Sequence, residues 1–388
     1  MEFELTEQQQ MFRDTVRKWV DREAPKSWSR QLEQQDEFPH VLWDKMTQAG
    51  FHGVAIPEEL GGQGGDTITQ VLLARELARS LAGLTWIWGI SSFACAKSVG
   101  LYGSEDQKKK YLPALADGND KWAIAFTEPG GGTDVLGALQ TRVSRVEGGW
   151  LINGAKTFST MASVADYLLL LARGPDDAKN KKRHEALSLF IVPAGAEGVE
   201  TRPIPKLGMR SVPSCEVFLN DVFVGDDALL GEPNQAWYMC LPTLNNERIV
   251  QAGICLGILD GVLEDALSYM NERQAFGGPI GRFQSLQHFV ADIAIWRESA
   301  ELMTYKAAWM QARGLETGLI SNMARLHAAE SATKAADLGI QILGGMGYTA
   351  ETDMQRYWRD ARLYRIGPIS SEMARNSIAE SLGLPRSF

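Results

Sequence analysis

Long apolar runs are missing from this sequence of 388 residues. The longest such run, residues 167–172, is far too short to cross a lipid bilayer. The first residues also lack a basic segment followed by an apolar one, which is the pattern of a signal peptide. From these absences we expect a protein of the cytoplasm without a membrane span.

Cysteine and histidine are scarce, with four and five residues respectively. No cysteines show the Cys-x-x-Cys spacing, and no histidines form His-x-His or His-x-x-x-His. The cysteines, three of which lie in apolar sequence, are Cys95, Cys215, Cys240 and Cys255. The sequence therefore predicts buried thiols in a reducing compartment, with neither a disulfide nor a metal site.

Positive charge is also in short supply. The net charge is −9, so we expect no basic surface for nucleic acid. The basic run at residues 108–110 is better explained as the solvated face of a helix. The glycine-rich stretch at residues 130–132 matches neither Gly-x-Gly-x-x-Gly nor Gly-x-x-x-x-Gly-Lys-Ser/Thr, the two common nucleotide fingerprints.

The first part of the chain, to about residue 120, shows helical spacing of apolar residues. Thr6 and Gln9 fit a capping box at the start of the first helix, and further helices are predicted over residues 41–49, 67–79 and 86–100. The last of these is apolar on nearly every side, which indicates a buried helix.

Strand-like alternation follows, and helical spacing then returns. A glycine turn between residues 143–146 and 150–153 predicts a hairpin, further strands are predicted over 167–172, 187–192 and 215–224, and 174–184 form a charged loop. Long helices with short links from residue 236 onward suggest a four-helix bundle. The prediction is an α+β protein with an N-terminal all-α domain (1–120), a middle antiparallel β-domain (121–235) and a C-terminal α-bundle domain (236–388).

The most specific chemistry lies in residues 122–134. A β-favouring run ends at Thr127, Pro129 interrupts regular structure, and three glycines follow before Thr133 and Asp134. Glycines leave backbone N–H groups uncovered, so a flat or anionic ligand can lie against them beside the threonine hydroxyls. On its own such a turn is most often only a turn.

The string Thr-Glu-Pro-Gly-Gly-Gly-Thr-Asp resembles the flavin-contacting loop of the acyl-CoA dehydrogenase family, and further matches cover essentially the whole chain. The resemblance implies an FAD-dependent enzyme with the three-domain order given above. It assigns cofactor contacts to Phe126, Thr127, Gly132 and Thr133, and a substrate contact to Thr133 as well.

A second cofactor segment, residues 156–160, follows the second strand of the hairpin. Side chains two positions apart on extended chain share a face, which places Phe158 to stack on a flat ring and Thr160 to bond its edge. The resemblance assigns both to the cofactor, although members of the family usually have a tryptophan where this chain has Phe158. Core packing is the alternative for Phe158.

Two glycine-containing segments that interrupt the C-terminal helices resemble further cofactor-binding segments of the family. Arg273-Gln-Ala-Phe-Gly277 resembles a family segment whose arginine binds the pyrophosphate of FAD across a subunit interface. Gln341-Ile-Leu-Gly-Gly-Met-Gly-Tyr348 resembles one that approaches the ADP part of FAD from a neighbouring subunit. The residues assigned in this way are Arg273, Phe276, Gln284, Gln341, Gly344 and Gly345. The resemblance therefore implies a homotetramer, or at least a dimer.

The catalytic base is where this sequence departs from the commonest family pattern. Many members carry a glutamate in Tyr-Glu-Gly-Thr, but Pro368 stands at that position, with Ser370 and Glu372 at flavin contacts. Members resembling isovaleryl-CoA dehydrogenase instead take the base from a Glu-Arg pair on the first long C-terminal helix. Glu247 and Arg248 match that pair, so the resemblance assigns the base to Glu247 and a substrate contact to Arg248. Apolar surroundings can raise the pKa of such a carboxylate toward neutrality, whereas an exposed pair would have no catalytic role.

Pro368 raises a second question, because proline has no N–H. In the family the backbone N–H at this position donates to the thioester carbonyl, and loss of such a donor can cost about 3 kcal/mol. Gly367, Ile369 or a donor elsewhere would have to replace it.

The resemblance implies that Glu247 removes the α-proton of an acyl-CoA while hydride leaves the β-carbon for FAD. The product is a trans-2-enoyl-CoA, and an electron-transferring flavoprotein accepts the electrons. Three alternatives stay open: an enoyl-CoA reductase resembling crotonobetainyl-CoA reductase, a flavin-dependent monooxygenase on the same fold, and a non-catalytic subunit of a mixed oligomer. The intact glycine motifs argue against the last, and the Glu-Arg pair argues against the monooxygenase.

Overall fold

A computed structural model describes residues 4–174 and 185–387 of the protein, so the predicted charged loop lies outside the described residues except for Gly174. The N-terminal part is helical. Its helices are α1 (Glu7–Glu23), α2 (Lys26–Gln35), α3 (His40–Gln48), α4 (Thr67–Ser80), α5 (Ala82–Gly89), α6 (Ala96–Tyr102) and α7 (Glu105–Ala116).

Local sequence explains how the first helix begins and how the buried helix is interrupted. The Thr6 hydroxyl accepts a hydrogen bond from the backbone N–H of Gln9, and the Gln9 side chain accepts one from the backbone N–H of Thr6, which is the predicted capping box. The helix predicted over residues 86–100 is not continuous, because a π-helical segment, Ile90–Cys95, separates α5 from α6. Such segments within helices are frequent at functional sites.

An eight-stranded sheet follows the helices. Its strands are β1 (Trp122–Ala125), β2 (Arg142–Val146), β3 (Gly149–Thr160), β4 (Tyr167–Arg173), β5 (Leu187–Pro193), β6 (Val199–Pro203), β7 (Ser214–Gly225) and β8 (Leu229–Leu230). The short helix α8 (Val135–Ala138) lies between β1 and β2. The order is β6-β7-β3-β2-β4-β5-β8, with β1 paired to β4.

Most neighbouring strands are antiparallel, as predicted, but β1 and β2 both run parallel to β4. The β2–β3 hairpin supplies the crossover that a parallel pair requires. Alternate residues of β4 face two different cores: Leu168 and Leu170 pack within the sheet domain, whereas Leu169 and Leu171 pack against the helices. Burial on both faces explains why this strand is apolar without interruption.

The C-terminal part is helical again. It contains α9 (Ala236–Glu272), α10 (Gln284–Ala312), α11 (Gly318–Leu343), α12 (Met354–Leu363) and α13 (Ser371–Ser381), with the short strands β9 (Gln274–Ala275) and β10 (Gly278–Pro279) between α9 and α10. Helices α9, α10 and α11 pack as successive neighbours, and α12 packs on α11 and α9, which forms the predicted bundle.

A stripe of glycines holds α9 against α4. Gly253, Gly257 and Gly261 recur every fourth residue and so share one face of α9. A Cβ at Gly257 would lie 2.2 Å from the carbonyl oxygen of Arg75, so only glycine allows the two backbones to approach this closely. The buried ion pair between Arg75 Nε and Asp260 Oδ2, 2.6 Å long, joins the same two helices. The helix that carries Glu247 is therefore fixed against α4 over residues 253–261.

Two predictions about composition can be compared with the structure. All four cysteines are free and buried, as predicted. Within the described ranges, every helix is too short or too polar to cross a membrane.

Candidate active site

Glu247 lies in the N-terminal part of α9 and is only 8% exposed. One turn further on, Gln251 donates from Nε2 to Oε1 of Glu247 at 3.1 Å. The other carboxylate oxygen, Oε2, has no hydrogen-bond partner among the described residues. Oε2 is therefore the oxygen that is free to take a proton.

The two carboxylates assigned from the sequence have opposite character. Burial raises the pKa of Glu247 to about 7, and the charges of Arg248 and Arg325 oppose that effect only in part. Glu372 is exposed in the first turn of α13, where a hydrogen bond from its own backbone N–H lowers its pKa. A group whose pKa lies near the working pH is suited to accept and release a proton, and Glu247 alone of the two has this property.

The π-helical segment connects Glu247 with the glycine-rich loop. Burial raises the pKa of Cys95, at the end of this segment, and the nearby charge of Glu247 raises it further. One turn earlier, Ser91 Oγ accepts from Trp122 N at 2.8 Å and donates to Trp122 O at 3.3 Å. Trp122 begins β1, whose far end leads into Thr127. One segment therefore lies near enough to Glu247 for its charge to affect Cys95, and it also bonds to the strand that positions the loop.

The glycine-rich loop presents open backbone. At Gly130 and Gly132 no atom lies within 4 Å of the place that a Cβ would occupy. At Gly131 a Cβ would lie 2.1 Å from the Cβ of Ala138, so only glycine fits between the loop and α8. The predicted contacts here are half-buried for Phe126 and Thr127 and exposed for Gly132 and Thr133. This surface has room for a flat ligand.

Three hydrogen bonds join the loop to β3, two of them through a lysine to which sequence reasoning assigned no role. Lys156 Nζ donates to Glu128 Oε1 at 2.8 Å and to Phe126 O at 3.2 Å. Thr157 N donates to Thr127 O at 2.8 Å. Both charged side chains are buried, and burial lowers the pKa of Lys156 to about 8. The feature of the sequence that could have indicated this pair was a lysine in the middle of an otherwise half-buried strand.

Phe158 points away from the core and is 65% exposed, so the core-packing alternative is wrong. The pairing of β3 with β7 shifts register between Lys156 and Ser159, and Phe158 has a φ of 55°. A β-bulge of this kind re-aims a side chain and is common beside active sites. Thr160 is half-buried at the end of the same strand. The aromatic ring is available for stacking.

The remaining cofactor residues gather at one end of the bundle. Arg273, Phe276 and Gln284 lie at the turn between α9 and α10, and all three are exposed, Phe276 by 89%. Because α9, α10 and α11 follow one another as antiparallel neighbours, the end of α11 lies at the same end of the bundle. The residues there, Gln341, Gly344 and Gly345, are exposed as well.

This end of the bundle is distant from Glu247. At a rise of 1.5 Å per residue, the part of α9 between Glu247 and Arg273 is about 40 Å long. An extended FAD molecule is shorter than that. Glu247 and Arg273 therefore lie too far apart to contact one FAD molecule within one subunit, which is the arrangement expected if each cofactor is held between two subunits.

The turn after α12 bears on the missing donor at Pro368. The N–H of Gly367 donates to Leu363 O at 3.0 Å, so it is not available to a substrate carbonyl. The N–H of Ile369 has no partner among the described residues. Ser370 is the N-cap of α13, so its hydroxyl oxygen is used at least partly by the helix. Of the two neighbouring replacements considered from the sequence, only Ile369 has an open donor.

Arg325 on α11 is a further residue that sequence reasoning missed. It is fully buried, and its Nη2 donates to the carbonyl oxygens of Tyr364 and Gly367. A lone arginine in an alanine-rich, apolar stretch of helix was the available signal, but its partners lie 39 and 42 residues away in sequence.

Three domain models of one family match almost the whole chain. The models "Acyl-CoA dehydrogenase, N-terminal domain", "middle domain" and "C-terminal domain" match residues 6–119, 123–222 and 234–383. The chain belongs to the acyl-CoA dehydrogenase family. The family and the fold predicted from the sequence are thereby confirmed, and the protein is an oxidoreductase that acts on acyl-CoA.

Similarity to individual acyl-CoA dehydrogenases and their relatives extends over the full length. "Probable acyl-CoA dehydrogenase YngJ" of Bacillus subtilis is 37% identical over 98% of this chain and 100% of the relative. The "Caffeyl-CoA reductase-Etf complex subunit CarC" of Acetobacterium woodii is 33% identical, over 97% and 99%. A solved structure of glutaryl-CoA dehydrogenase with glutaryl-CoA is 32% identical and has a TM-score of 0.94, over 100% and 98%.

Acyl-CoA dehydrogenases are FAD-dependent, which confirms FAD as the predicted cofactor. The residues present fit this group: the backbone is open at Gly130 and Gly132, Phe158 is exposed for stacking, and Arg273 is an exposed cation for phosphate. Among the described residues, no group of three or more His, Cys, Asp or Glu side chains is placed to hold a metal ion.

Proposed function

We propose that the protein oxidises the α,β carbon–carbon bond of an acyl-CoA thioester and releases a trans-2-enoyl-CoA. The observation that carries this proposal is Glu247, a buried carboxylate with a pKa of about 7 and an uncommitted oxygen. Removal of a proton next to a thioester needs a base of this kind, shielded from bulk water.

In this proposal Glu247 accepts the proton, and Gln251 hydrogen-bonds to its carboxyl group. Oε2 of Glu247 takes the α-proton of the substrate, and bound FAD would supply the acceptor for the hydride that leaves the β-carbon. Gln251 Nε2 donates to the ionised carboxylate, and Gln251 Oε1 is buried without a partner among the described residues. Rotation of the amide by 180° would let Oε1 accept a hydrogen bond from the protonated carboxyl. Gln251 can therefore hydrogen-bond to both the ionised and the protonated form of Glu247.

The substrate carbonyl needs donors that stabilise the developing negative charge. Ile369 supports this role, because its N–H is open and directly follows Pro368. Arg248 supports binding of the CoA part: its Nη1 donates to Asn245 Oδ1 at 2.8 Å, which fixes the orientation of the guanidinium. Thr133, exposed on the glycine-rich loop, is the remaining proposed substrate contact.

FAD is proposed to lie between two subunits. One subunit provides the ring-facing surface, and a neighbouring subunit provides the end of its bundle. The residues of the first surface are Phe126, Thr127, Gly132, Thr133, Phe158, Thr160, Ser370 and Glu372. Those of the second are Arg273, Phe276, Gln284, Gln341, Gly344 and Gly345. The length of about 40 Å that α9 spans between Glu247 and Arg273 supports a homotetramer, or at least a dimer.

An electron-transferring flavoprotein is the proposed electron acceptor, and the cytoplasm the proposed location. The name of the relative CarC places that protein in a complex with Etf, which supports such an acceptor here. The four buried free thiols fit a reducing compartment.

The reverse reaction, reduction of an enoyl-CoA, is the second candidate. CarC, 33% identical to this chain, is named as a subunit of a caffeyl-CoA reductase complex, and the same base and cofactor serve both directions. The remaining alternatives have less support. A flavin-dependent monooxygenase needs no buried base, and a non-catalytic subunit of a mixed oligomer needs neither that base nor an open flavin surface.

Anaerobic mixing of the FAD-loaded protein with a panel of acyl-CoA thioesters tests the proposal. Loss of the oxidised-flavin absorbance with at least one thioester, together with enoyl-CoA product, is the expected result. Oxidised flavin that stays unchanged with every thioester, while dithionite-reduced protein is reoxidised by enoyl-CoA, would favour the reductase. If neither acyl-CoA reduces the flavin nor enoyl-CoA reoxidises it, both candidate functions are wrong.

A further inference from the structure

The connection between β6 and β7, residues 204–213, is where three parts of the chain meet. This segment, the junction loop, belongs to the part matched by the middle-domain model. Each of the other two domain segments contributes one buried carboxylate to it. Glu33 lies in α2, in the N-terminal segment, and Asp360 lies in α12, in the C-terminal segment.

Glu33 accepts three hydrogen bonds from the junction loop. Its Oε2 accepts from Arg210 N at 2.9 Å, and its Oε1 accepts from Ser211 N at 3.0 Å and from Ser211 Oγ at 2.7 Å. Hydrogen bonds from backbone N–H groups to an ionised carboxylate are stronger than those between neutral groups. Both carboxylate oxygens of Glu33 therefore hold the backbone of the loop in one place.

Asp360 holds the residue before these two. Its Oδ1 accepts from Met209 N at 2.8 Å. A Cβ at Gly208 would lie 2.7 Å from that oxygen, so the backbone of the loop lies directly against α12. Met209 has a φ of 49°, which is uncommon for a residue with a side chain. Three successive backbone N–H groups, those of residues 209–211, thus donate to two buried carboxylates from different parts of the chain.

The far end of the junction loop contacts the strand that carries two proposed flavin contacts. Pro213 O accepts from Met161 N at 2.6 Å, and Met161 directly follows Thr160, the last residue of β3. Thr160 itself pairs with Ser214, which begins β7 immediately after the loop. Phe158 lies two positions earlier, where the register between β3 and β7 shifts. The end of β3 is therefore bonded to the loop that the two carboxylates hold.

We propose that Glu33 and Asp360 are positioning residues for the flavin: by fixing the junction loop they fix the end of β3, and with it Phe158 and Thr160. This inference rests on the proposed function, in which those two side chains contact FAD. Each carboxylate acts through the loop and needs no contact with the cofactor. The surface that faces the flavin ring then depends on how all three domain segments pack together.

A purely structural role predicts a different result. Loss of a buried hydrogen bond lowers the stability of the fold wherever the bond lies, whereas loss of a positioning bond also changes the flavin in protein that remains folded. Glu76 provides the matched control for Glu33. It is a buried glutamate of the same N-terminal segment, and it pairs with Arg17 at 2.9 Å and Arg79 at 3.5 Å rather than with the loop.

Glu33→Gln keeps the size of the side chain but replaces one oxygen by an NH2 group, so at least one backbone donor of the loop loses its acceptor. Folded, FAD-loaded protein should then release FAD more readily on dilution. We expect its dissociation constant to rise about five- to ten-fold, as for the loss of about one hydrogen bond. The visible circular dichroism of the bound flavin should change as well. Glu76→Gln should lower the thermal midpoint and leave both flavin measurements at wild-type values.

Asp360 allows a comparison between keeping and removing the acceptor. Asp360→Asn keeps an oxygen for the Met209 N–H and should retain the wild-type flavin measurements. Asp360→Ala removes that oxygen and should reproduce the effect of Glu33→Gln. Ser211→Ala removes only the hydroxyl bond to Glu33, so it gives a milder form of the same change and replaces Glu33→Gln if that variant does not fold.

A second measurement does not involve the flavin. Amide hydrogen exchange of a peptide that covers residues 157–163, followed by mass spectrometry, reports the bond from Met161 N to the loop. In protein saturated with FAD, exchange there should be faster in Glu33→Gln and Asp360→Ala than in the wild type. Glu76→Gln should exchange at the wild-type rate in this peptide.

Thr160→Val and Phe158→Leu separate failure of this inference from failure of the proposed flavin surface. If these two variants alter the flavin measurements but Glu33→Gln and Asp360→Ala behave like the control, the inference is overturned and the surface stands. If they leave the flavin unchanged, the surface is wrong and the inference falls with it, while hydrogen exchange still decides whether the carboxylates hold the end of β3. Failure of Glu33→Gln, Ser211→Ala and Asp360→Ala to fold would also overturn the inference, since the loop contacts would then be a structural requirement only.

Discussion

Lys156 and Glu128 form a buried ion pair, 2.8 Å from Nζ to Oε1, between the second hairpin strand and the glycine-rich loop. Glu128 also accepts backbone hydrogen bonds from Gln140 and Thr141. The carboxylate therefore joins three stretches of chain around the surface that faces the flavin. Of these partners only Lys156 carries a positive charge, so its loss would leave the buried carboxylate without a compensating cation.

Lys156→Met is expected to destabilise the protein by about 3 kcal/mol, because it leaves the buried Glu128 carboxylate without its cation. The double variant Lys156→Met/Glu128→Gln should recover part of that loss, since no unpaired charge remains. Urea unfolding and FAD content report the two effects. A single variant as stable as the wild type would contradict the importance of the pair.

Glu247→Gln should slow flavin reduction by an acyl-CoA by about 10²–10⁴-fold, the usual loss when a general base is removed. FAD content and acyl-CoA binding should stay near wild type, because glutamine keeps the size and polarity of the side chain. Stopped-flow absorbance under anaerobic conditions measures the rate. Glu372→Gln is the matched control and should retain most activity, since that carboxylate is exposed and its pKa is lowered. The reverse outcome would make Glu372 the base.

Glu247→Gln should also change the pH dependence of stability. The pKa of Glu247 is raised in the folded protein from 4.5 to about 7. Between these values the folded state holds a proton that the unfolded state has lost, so the wild type loses stability as pH rises through this window. Above it the cost is about 3 kcal/mol, which glutamine does not incur.

Thermal midpoints of the two proteins should therefore diverge from pH 5 to pH 8, with Glu247→Gln the more stable at pH 8. Glu372→Gln is again the control: the pKa of this group is lowered, so its substitution produces no such gain. Parallel pH curves for wild type and Glu247→Gln would mean that the carboxylate is not desolvated.

Arg273→Ala should weaken FAD retention more than it weakens folding. An exposed arginine contributes little to stability, whereas a charge-assisted phosphate contact contributes about 2 kcal/mol. FAD release during dilution and urea unfolding measure the two quantities. Arg313→Ala, an exposed arginine at the opposite end of α10, is the control and should retain FAD normally. Equal FAD affinity in the two variants would remove Arg273 from the site.

The sequence predicted those features whose cause is local. The capping box at Thr6, the glycine turn of the β2–β3 hairpin and the buried strand at residues 167–172 each follow from neighbouring residues. The family and FAD followed from motifs, which are also local. Glu247 required both a motif and an apolar helix, because burial is what alters its pKa.

Features that depend on distant contacts could not be predicted. Lys156 and Glu128 are 28 residues apart, and nothing in the spacing shows that they meet. The left-handed backbone at Phe158 arises from a register shift against β7, a strand more than fifty residues later. The distance between Glu247 and Arg273 depends on α9 being one continuous helix, which the sequence motifs do not show.

That continuity has a consequence for how the chain can vary. Helix α9 runs unbroken from Ala236 to Glu272, with the proposed base near its start and Arg273 at its end. Each residue advances a helix by about 100°, so inserting or deleting one residue between them would turn Arg273 by that angle relative to Glu247. The same change would also move the glycine stripe out of phase with α4. The length of the helix between these points is therefore constrained apart from its side chains, and we expect insertions in the loops at either end instead.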